Sequence, residues 1–326
     1  MLAEQTRNEV FADSVRGRLE VIEAALLRSA EARTPMVTEA AQHIILAGGK
    51  RFRPLLVVLG AALGPVSAED DVVKAAVVVE LTHVASLYHD DVMDDARIRR
   101  GSPSANVRWG NSVAIMVGDF LFARASDIVS ELGTDFVQVQ ARTFGRLVQG
   151  QIAETVGPQP GESALEHYLQ VVADKTGALI ATSALFGAKI AHADLSVQRT
   201  LTRFGEEIGV VFQLSDDIID ITSDETGKTP GTDLREGVPT LPTLLARQST
   251  DPADRRLLEL LDSDLSDDAA LAEVLDLLRA HRSIEQARVE VQRRAQAARA
   301  LLSTLPEGSA RTALEEICDT VTTRTA

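Results

Sequence analysis

The chain has 326 residues, of which 45% are hydrophobic, and its 33 Lys and Arg side chains are outnumbered by 48 Asp and Glu side chains. The formal net charge of −15 argues against nucleic acid and against anionic lipid surfaces as partners, because both need a basic footprint. Cys318 is the only cysteine, which excludes an intrachain disulfide and indicates a reducing, cytoplasmic setting.

Helical periodicity dominates the chain, and no stretch shows the alternation of a strand bounded by hairpin turns, so we predict an all-α protein. The predicted helices cover, in chain order, 7–31, 36–47, 54–63, 68–95, 111–131, 134–153, 163–173, 175–191, 195–222, 239–248, 252–262, 267–280, 283–303 and 309–322. No uncharged apolar run reaches the roughly 20 residues that span a bilayer, and the first 30 residues lack the pattern of a signal peptide. We therefore expect no transmembrane segment.

Two aspartate clusters of identical spacing stand 126 residues apart, each inside an apolar, helix-patterned stretch. Cluster 1 comprises Asp90, Asp91 and Asp94, and cluster 2 comprises Asp216, Asp217 and Asp220. In a helix the first and last aspartates share one face, while the middle one lies about 100° round the axis. Carboxylates crowded among apolar neighbours need a cation, and oxygen ligands without Cys or His favour Mg²⁺ over zinc. The repetition predicts metal-bound diphosphate chemistry.

The turn-rich stretch at 157–161 has the composition of a domain linker, yet we interpret residues 1–326 as one domain. The two aspartate clusters lie on opposite sides of this stretch and make chemical sense together only if they face one cavity. The polar, Gly-rich stretch at 224–239 follows cluster 2 directly, where a mobile lid over a metal site is expected.

Basic residues gather in Gly48-Gly49-Lys50-Arg51-Phe52-Arg53-Pro54 and again in Arg99-Arg100-Gly101, just after cluster 1. Guanidinium and ammonium groups beside flexible glycines suit phosphate binding. With Glu80-Leu81-Thr82-His83, Gly118-Asp119, Gly150-Gln151, Lys175-Thr176-Gly177 and Phe212-Gln213, these motifs run in the order of a known family. The chain thus resembles the trans-isoprenyl (polyprenyl) diphosphate synthases, the head-to-tail prenyltransferases, over about residues 40–245.

The resemblance implies a bundle of antiparallel helices around a central active-site cavity, the isoprenoid synthase fold. It also implies a reaction in which isopentenyl diphosphate condenses with an allylic diphosphate. Clusters 1 and 2 would bind Mg²⁺, three ions per site, and Asp90, Asp94 and Asp216 would be catalytic. The allylic diphosphate would contact Arg99, Lys175, Thr176, Gln213 and Lys228, of which Lys175 and Lys228 are also catalytic, and isopentenyl diphosphate would contact Lys50, Arg53, His83 and Arg100. The family often has Lys or Arg where this chain has Val238.

Product length depends on how far the growing chain can run along the helix of cluster 1. Ala85 and Ser86 lie five and four residues before Asp90, about 6 to 7.5 Å down the helix axis, and both are small. Family members that stop early tend to have aromatics here, so the resemblance implies a long product, C30–C50. Met116, Phe120 and Phe122 are candidates for a deeper floor, and geranylgeranyl diphosphate remains an alternative product.

Several other functions share parts of this pattern. A ferritin-like di-iron protein needs two Glu-x-x-His motifs, and only one occurs here, at Glu80 and His83. A class I terpene cyclase would leave the basic motifs without a second diphosphate, and a non-catalytic subunit of a heterodimeric synthase would show degraded aspartates. The resemblance further suggests a homodimer through the helix after Asn111, and a product that is passed to a membrane.

Overall fold

A computed structural model of the chain describes residues 2–66, 68–222 and 230–323, with side chains from Thr6 onward. The main helices are α1 (Leu2–Ser29), α2 (Pro35–Leu46), α3 (Phe52–Ala61), α4 (Glu69–Met93), α5 (Ala105–Trp109), α6 (Asn111–Glu131), α7 (Thr134–Val156), α8 (Ala164–Val172), α9 (Ala178–Ile190), α10 (Leu195–Thr222), α11 (Thr232–Arg235), α12 (Leu241–Ala246), α13 (Arg255–Leu261), α14 (Asp268–Ala280), α15 (Arg282–Leu302) and α16 (Ser309–Thr323). The all-α prediction is confirmed, and each predicted helix is present within a few residues of its expected ends.

The described part of the chain also contains four elements that the sequence pattern did not predict. These are the short helices α5 and α11, a π-helical turn at Ala173–Gly177, and a two-stranded hairpin formed by β1 (Ile98–Arg99) and β2 (Ser102–Pro103). Elements of two to five residues are too short to show a hydrophobic period, so periodicity cannot detect them.

The Cα positions group the chain into two compact units. Unit 1 comprises Met1–Gly145, Leu179–Gly205 and Leu301–Leu314, and unit 2 comprises Arg146–Ala178, Glu206–Ala300 and Glu315–Ala326. The assignment of residues 1–326 to one domain stays a prediction.

The core of unit 1 is built on α4, which packs along α6 and also contacts α1, α3 and α5. Buried side chains such as Leu81, Val84, Tyr88 and Leu121 join these helices in one apolar cluster. α4 is apolar around most of its circumference, as expected of a helix that is surrounded by other helices. Cluster 1 lies at its C-terminal end.

Unit 2 has a separate apolar cluster, formed by side chains such as Ile221, Leu234, Leu260, Val274 and Leu278. In this unit α12 packs against α8 and α14, and α8 contacts the π-helical turn. The last turn of α10, which carries cluster 2, is joined to this core through Ile221.

Two described stretches, Glu69–Met93 and Ala164–Ile190, are long and apolar enough to cross a membrane. In each of them 72% of the most apolar window is buried inside the protein. Core helices of globular proteins pass the same test, so their apolar character is explained by the core.

Candidate active site

Cluster 1 lies at the C-terminal end of α4, where its three carboxylates have different environments. Asp90 is half-buried and Asp94 is exposed, whereas the Asp91 side chain is fully buried. One oxygen of Asp91, Oδ1, accepts hydrogen bonds from Arg99 Nε at 2.7 Å and Nη2 at 2.6 Å. The other oxygen, Oδ2, is buried without a hydrogen-bond partner. Burial raises the pKa of the Asp91 carboxyl against the opposing charge of Arg99.

The hairpin after cluster 1 directs the side chains of two neighbouring arginines to different hydrogen-bond acceptors. Its two-residue turn, Arg100-Gly101, has φ values of 52° and 76°, the left-handed pair that a type I′ turn requires. Arg99 therefore reaches back to Asp91, while Arg100 Nη1 donates to the carbonyl oxygens of Ile44, at 3.0 Å, and Gly48. Asn106 Nδ2 anchors the hairpin by donating to the Asp91 carbonyl oxygen at 3.1 Å.

The basic turn before α3 is held by Arg51, whose own backbone is left-handed with φ of 47°. Its guanidinium contacts Glu23 at 2.5 and 2.7 Å, Glu80 at 3.1 Å and the Ile45 carbonyl oxygen at 2.8 Å. Gly49 has φ of 151°, where a side chain would be strained, and a Cβ there would lie 2.9 Å from Arg51 Nη1 and 3.0 Å from Arg100 Cζ, so glycine is favoured at this position. Arg51 therefore has a structural role within the basic motif, where it holds the turn in place, and Glu80 is its buried counter-ion.

Arg53, His83, Arg99 and Arg100, which we call the basic pocket, lie close enough together in unit 1 to influence one another. Burial and the charges of the surrounding arginines hold the pKa of His83 well below its usual range, so at neutral pH its imidazole is uncharged. Burial also lowers the pKa of Arg53 to about 10, which leaves it cationic, and Arg53 Nε is buried without a hydrogen-bond partner. An unsatisfied buried donor among three guanidiniums is suited to an anion with several oxygens. Lys50, which was predicted to contact the same ligand, is exposed.

Cluster 2 lies near the C-terminal end of α10 and repeats the arrangement of cluster 1. Asp216 and Asp220 are half-buried, whereas Asp217 is 2% exposed. Asp217 Oδ2 accepts hydrogen bonds from the Tyr168 hydroxyl and, at 3.0 Å, from the Leu241 backbone N–H. Its Oδ1 accepts a hydrogen bond from Gln213 Nε2 at 3.2 Å. Burial raises the pKa of Asp217 to about 6 despite these donors.

The Lys175-Thr176-Gly177 motif forms the π-helical turn, a geometry that often marks functional sites. Lys175 Nζ is paired with Glu154 Oε2 at 2.5 Å, and Thr176 Oγ1 donates to Gln213 Oε1 at 3.4 Å. A Cβ on Gly150 would lie 2.8 Å from Lys175 N, so glycine allows α7 to approach this turn. The structure therefore brings together Thr176 and Gln213, two residues assigned to the allylic diphosphate, and Lys228 lies outside the described residues.

The two aspartate clusters offer oxygen ligands to a magnesium ion without enclosing it. Among the residues that the structure describes, no three His, Cys, Asp or Glu side chains are arranged to enclose a metal ion. Magnesium is seldom caged by protein alone and usually binds one or two carboxylates together with substrate phosphates and water. Half-buried or exposed outer carboxylates in both clusters, and the unsatisfied Asp91 Oδ2, are compatible with that mode of binding.

Of the two residues predicted to set product length, Ala85 is fully buried in the apolar cluster of unit 1. Ser86 is 9% exposed and lies on the same helical face as Asp90 and His83. The Phe122 ring packs against Phe144, with 4.4 Å between centroids, and against His89.

Comparison with known proteins places these motifs in a family. The family model described as Polyprenyl synthetase matches residues 34–278. The chain belongs to the polyprenyl synthetase family. It is 44% identical over 318 residues to a nonaprenyl diphosphate synthase of Mycobacterium tuberculosis, covering 97% of this chain and 95% of that protein. The predicted family is confirmed.

Two solved structures show the same fold. A geranylgeranyl pyrophosphate synthase of Corynebacterium glutamicum, crystallised with calcium and isoprenyl diphosphate, matches with a TM-score of 0.87 and 42% identity, covering 97% of this chain and 98% of the other. A polyprenyl synthase of Caulobacter crescentus, crystallised with the same ligands, matches with a TM-score of 0.90 and 30% identity over 98% of both chains. The isoprenoid synthase fold and the function of a polyprenyl diphosphate synthase are confirmed.

Several residues of the site were missed by the sequence analysis. Tyr168 and the Leu241 N–H both bind Asp217, and Glu154 pairs with Lys175. Glu80 was noted as part of a family motif and as half of a di-iron motif, and it is the buried partner of Arg51. Glu154 lies one helical turn after the Gly150-Gln151 motif, which is a signal that it belongs to the site. Nothing in the local sequence around Tyr168 indicates its partner.

We predict that Arg51→Met lowers the free energy of unfolding by about 3 kcal/mol, because it leaves the Glu80 carboxylate, 2% exposed, buried without its ion pair. Chemical denaturation monitored by circular dichroism measures the effect. The control is Arg256→Met, which breaks an exposed pair with Glu273 and is expected to change the free energy of unfolding far less.

A second change separates this loss of charge pairing from a loss of packing. Adding Glu80→Gln to Arg51→Met removes the uncompensated charge and is expected to restore at least half of the lost stability. An equal loss in Arg51→Met and Arg256→Met would show that the buried pair has no special role.

Proposed function

We propose that this protein condenses isopentenyl diphosphate with an allylic diphosphate and releases a medium- or long-chain all-trans polyprenyl diphosphate. The observation that carries the proposal is the basic pocket of unit 1, which lies beside cluster 1 and contains a buried, unsatisfied Arg53 Nε. Carboxylates followed directly by convergent guanidiniums suit a polyanion that is bound partly through metal. Family membership supports the same reaction.

We assign the two diphosphates to different groups of residues. Isopentenyl diphosphate binds Lys50, Arg53, His83 and Arg100, where the neutral imidazole of His83 contributes an N–H donor rather than a charge. The allylic diphosphate binds Arg99, Lys175, Thr176, Gln213 and Lys228. Arg99 and Lys175 are each paired with a carboxylate, Asp91 and Glu154, so substrate binding exchanges one anionic partner for another. This exchange limits the net cost of desolvating the two cations.

We assign Mg²⁺, three ions per site, to the two aspartate clusters. The calcium and isoprenyl diphosphate in both solved relatives support a divalent cation at this kind of site. When bound, Mg²⁺ supplies charge stabilisation to the departing pyrophosphate. Asp90, Asp94, Asp216 and Asp220 are the outward carboxylates that would hold it, with the buried Asp91 and Asp217 behind them.

The remaining steps follow from what the chain itself supplies. Cleavage of the allylic C–O bond leaves a carbocation, so the surrounding apolar residues have to exclude water until the isopentenyl double bond attacks. The stretch at 224–239, whose first six residues lie outside the described part of the chain, is our candidate for the covering segment. The new carbocation loses a proton, which we assign to the departing pyrophosphate, and the prenyl chain is five carbons longer.

We propose that the enzyme acts as a homodimer in the cytoplasm and passes its product to a membrane. On α6, Ile115 and Met116 are 42% and 60% exposed, and the same face continues with small residues, Ala123 and Ser126. An apolar and small-residue face of this kind is suited to packing against the same helix of a second copy.

The function is tested by incubating the purified chain with Mg²⁺, labelled isopentenyl diphosphate and allylic primers of increasing length. We expect linear prenyl diphosphates, and a loss of at least about 100-fold in rate for Asp90→Asn, which removes one carboxylate charge and little volume. Asp70→Asn, an exposed aspartate in the first turn of the same helix, is the matched control and is expected to retain activity.

The products of that assay also separate the alternatives. A cyclic hydrocarbon or alcohol would identify a terpene cyclase, and an inactive chain that becomes active with a second subunit would identify a heterodimeric synthase. A linear product that ends at four isoprene units would identify a geranylgeranyl diphosphate synthase.

For product length, we predict that Ser86→Phe shortens the main product, because a phenyl ring on the face of Asp90 and His83 blocks the path along α4. Ser86→Ala is the control and is expected to leave the length unchanged. Ala85→Phe is expected to shorten the product too, with a stability loss of about 1 to 3 kcal/mol from overpacking the core. Chromatography of dephosphorylated products gives the result, and full-length product from Ser86→Phe would contradict the tunnel.

For the assembly, we predict that Met116→Glu converts the dimer into monomers at micromolar concentration, because the new charges meet across a symmetric contact. Val21→Glu changes an equally apolar side chain that is 55% exposed on α1 and serves as the control. Light scattering after size-exclusion chromatography gives the mass, and a dimeric Met116→Glu protein would exclude this face as the interface.

A further inference from the structure

Tyr168 is one of only two tyrosines in the chain, and it lies in α8 with 7% of its surface exposed. Its hydroxyl donates a hydrogen bond to Asp217 Oδ2 in cluster 2. No motif of the sequence includes Tyr168, and neither substrate has been assigned to it. Its polar atom is nevertheless directed at the carboxylate around which the second acidic site is organised.

Asp217 receives two further hydrogen bonds from separate parts of unit 2. The Leu241 backbone N–H donates to the same oxygen, Oδ2, at 3.0 Å, and Gln213 Nε2 donates to Oδ1 at 3.2 Å. Gln213 Oε1 in turn accepts a hydrogen bond from Thr176 Oγ1 at 3.4 Å. One carboxylate thus connects α8, α10, the π-helical turn and the first residue of α12.

Three donors on a carboxylate that is 2% exposed leave little room for a metal ion at Asp217. These hydrogen bonds also orient the neighbouring aspartates, because the residues of one helix rotate together about its axis. If Asp217 is fixed toward α8 and α12, then Asp216 and Asp220, which lie about 100° and 60° round the helix axis from it, are fixed on the neighbouring face. The Tyr168 hydroxyl is the only one of the three donors that comes from α8.

We propose that Tyr168 is a positioning residue that acts through Asp217 to orient the outer carboxylates of cluster 2 and the Thr176–Gln213 pair toward the allylic diphosphate and its Mg²⁺. This role rests on the proposed function. It assigns Asp217 to the support of the metal site, so that Asp216 and Asp220 carry the ligation.

The test compares wild type, Tyr168→Phe and Tyr88→Phe as full-length proteins. Tyr88→Phe is a matched control, because Tyr88 is the other tyrosine and is also buried, but its hydroxyl donates to the carbonyl oxygen of Ala40 in unit 1. Both changes remove one buried hydroxyl and keep the ring. We expect Tyr168→Phe to raise the KM for the allylic diphosphate and the half-saturating Mg²⁺ concentration about tenfold, with the KM for isopentenyl diphosphate unchanged. In Tyr88→Phe we expect lower thermal stability without that selective change.

Unchanged allylic and Mg²⁺ constants in Tyr168→Phe would overturn the proposal. Equal increases in the KM of both substrates, together with the same loss of melting temperature as in Tyr88→Phe, would also overturn it, because they indicate a packing role.

A measurement without turnover separates this proposal from the proposed function. Calorimetry gives the affinity for inorganic pyrophosphate in the presence of Mg²⁺ for the same three proteins. An affinity about tenfold weaker in Tyr168→Phe alone supports the positioning role, and equal affinities reject it. Failure of the wild type to make any prenyl diphosphate would overturn the proposed function, and the pyrophosphate result would still decide the role of Tyr168.

Discussion

In a helix, two aspartates four residues apart share one face, and an aspartate that directly follows the first lies about 100° round the axis from it. In both clusters this middle carboxylate is buried and bonded to donors inside its own unit. Asp91 is held by Arg99, and Asp217 by Tyr168, Gln213 and the Leu241 N–H. The cost of burying a charge is offset in this way, and the outer aspartates keep a defined direction.

The cations of the site are likewise paired with acceptor groups inside the protein. In a chain with a formal charge of −15, the basic groups of the site are placed against carboxylates or backbone carbonyls. Arg51 is bound to Glu23 and Glu80, Lys175 to Glu154, and Arg100 to the carbonyl oxygens of Ile44 and Gly48. Arg53 differs, because its Nε is buried without a hydrogen-bond partner, which marks the basic pocket as a site for an anionic ligand.

Two residues of the basic motifs also have an unusual backbone conformation. Arg51 and Arg100 have left-handed φ values of 47° and 52°, and such conformations are kept only where surrounding contacts hold them. Here those contacts are the guanidinium bonds themselves. Side chain and backbone therefore fix one another, and the basic turn and the hairpin present a prearranged set of donors.

The helices were predictable because the long ones either show a hydrophobic period or, like α4, are apolar around most of their circumference, and because their ends are recognisable. The aspartate clusters, the basic motifs and the Thr176–Gln213 pair were predictable because their residue types and spacing carry the chemistry. The π-helical turn at Ala173–Gly177 and the hairpin at Arg100 were not, since four or five residues show no period. Lys50 and Arg51 are neighbours in a motif, and only the structure shows that one is exposed and the other is an internal tie.

The sequence alone determined the all-α class, the two acidic clusters and the family, because these depend on local periodicity and on the order of motifs along the chain. The tertiary structure decided which partner each charged group takes. Asp217 meets Tyr168, 49 residues away, and Arg51 meets Glu80, 29 residues away. Such pairings follow from how helices pack, and packing brings together residues whose separation along the chain carries no periodic signal.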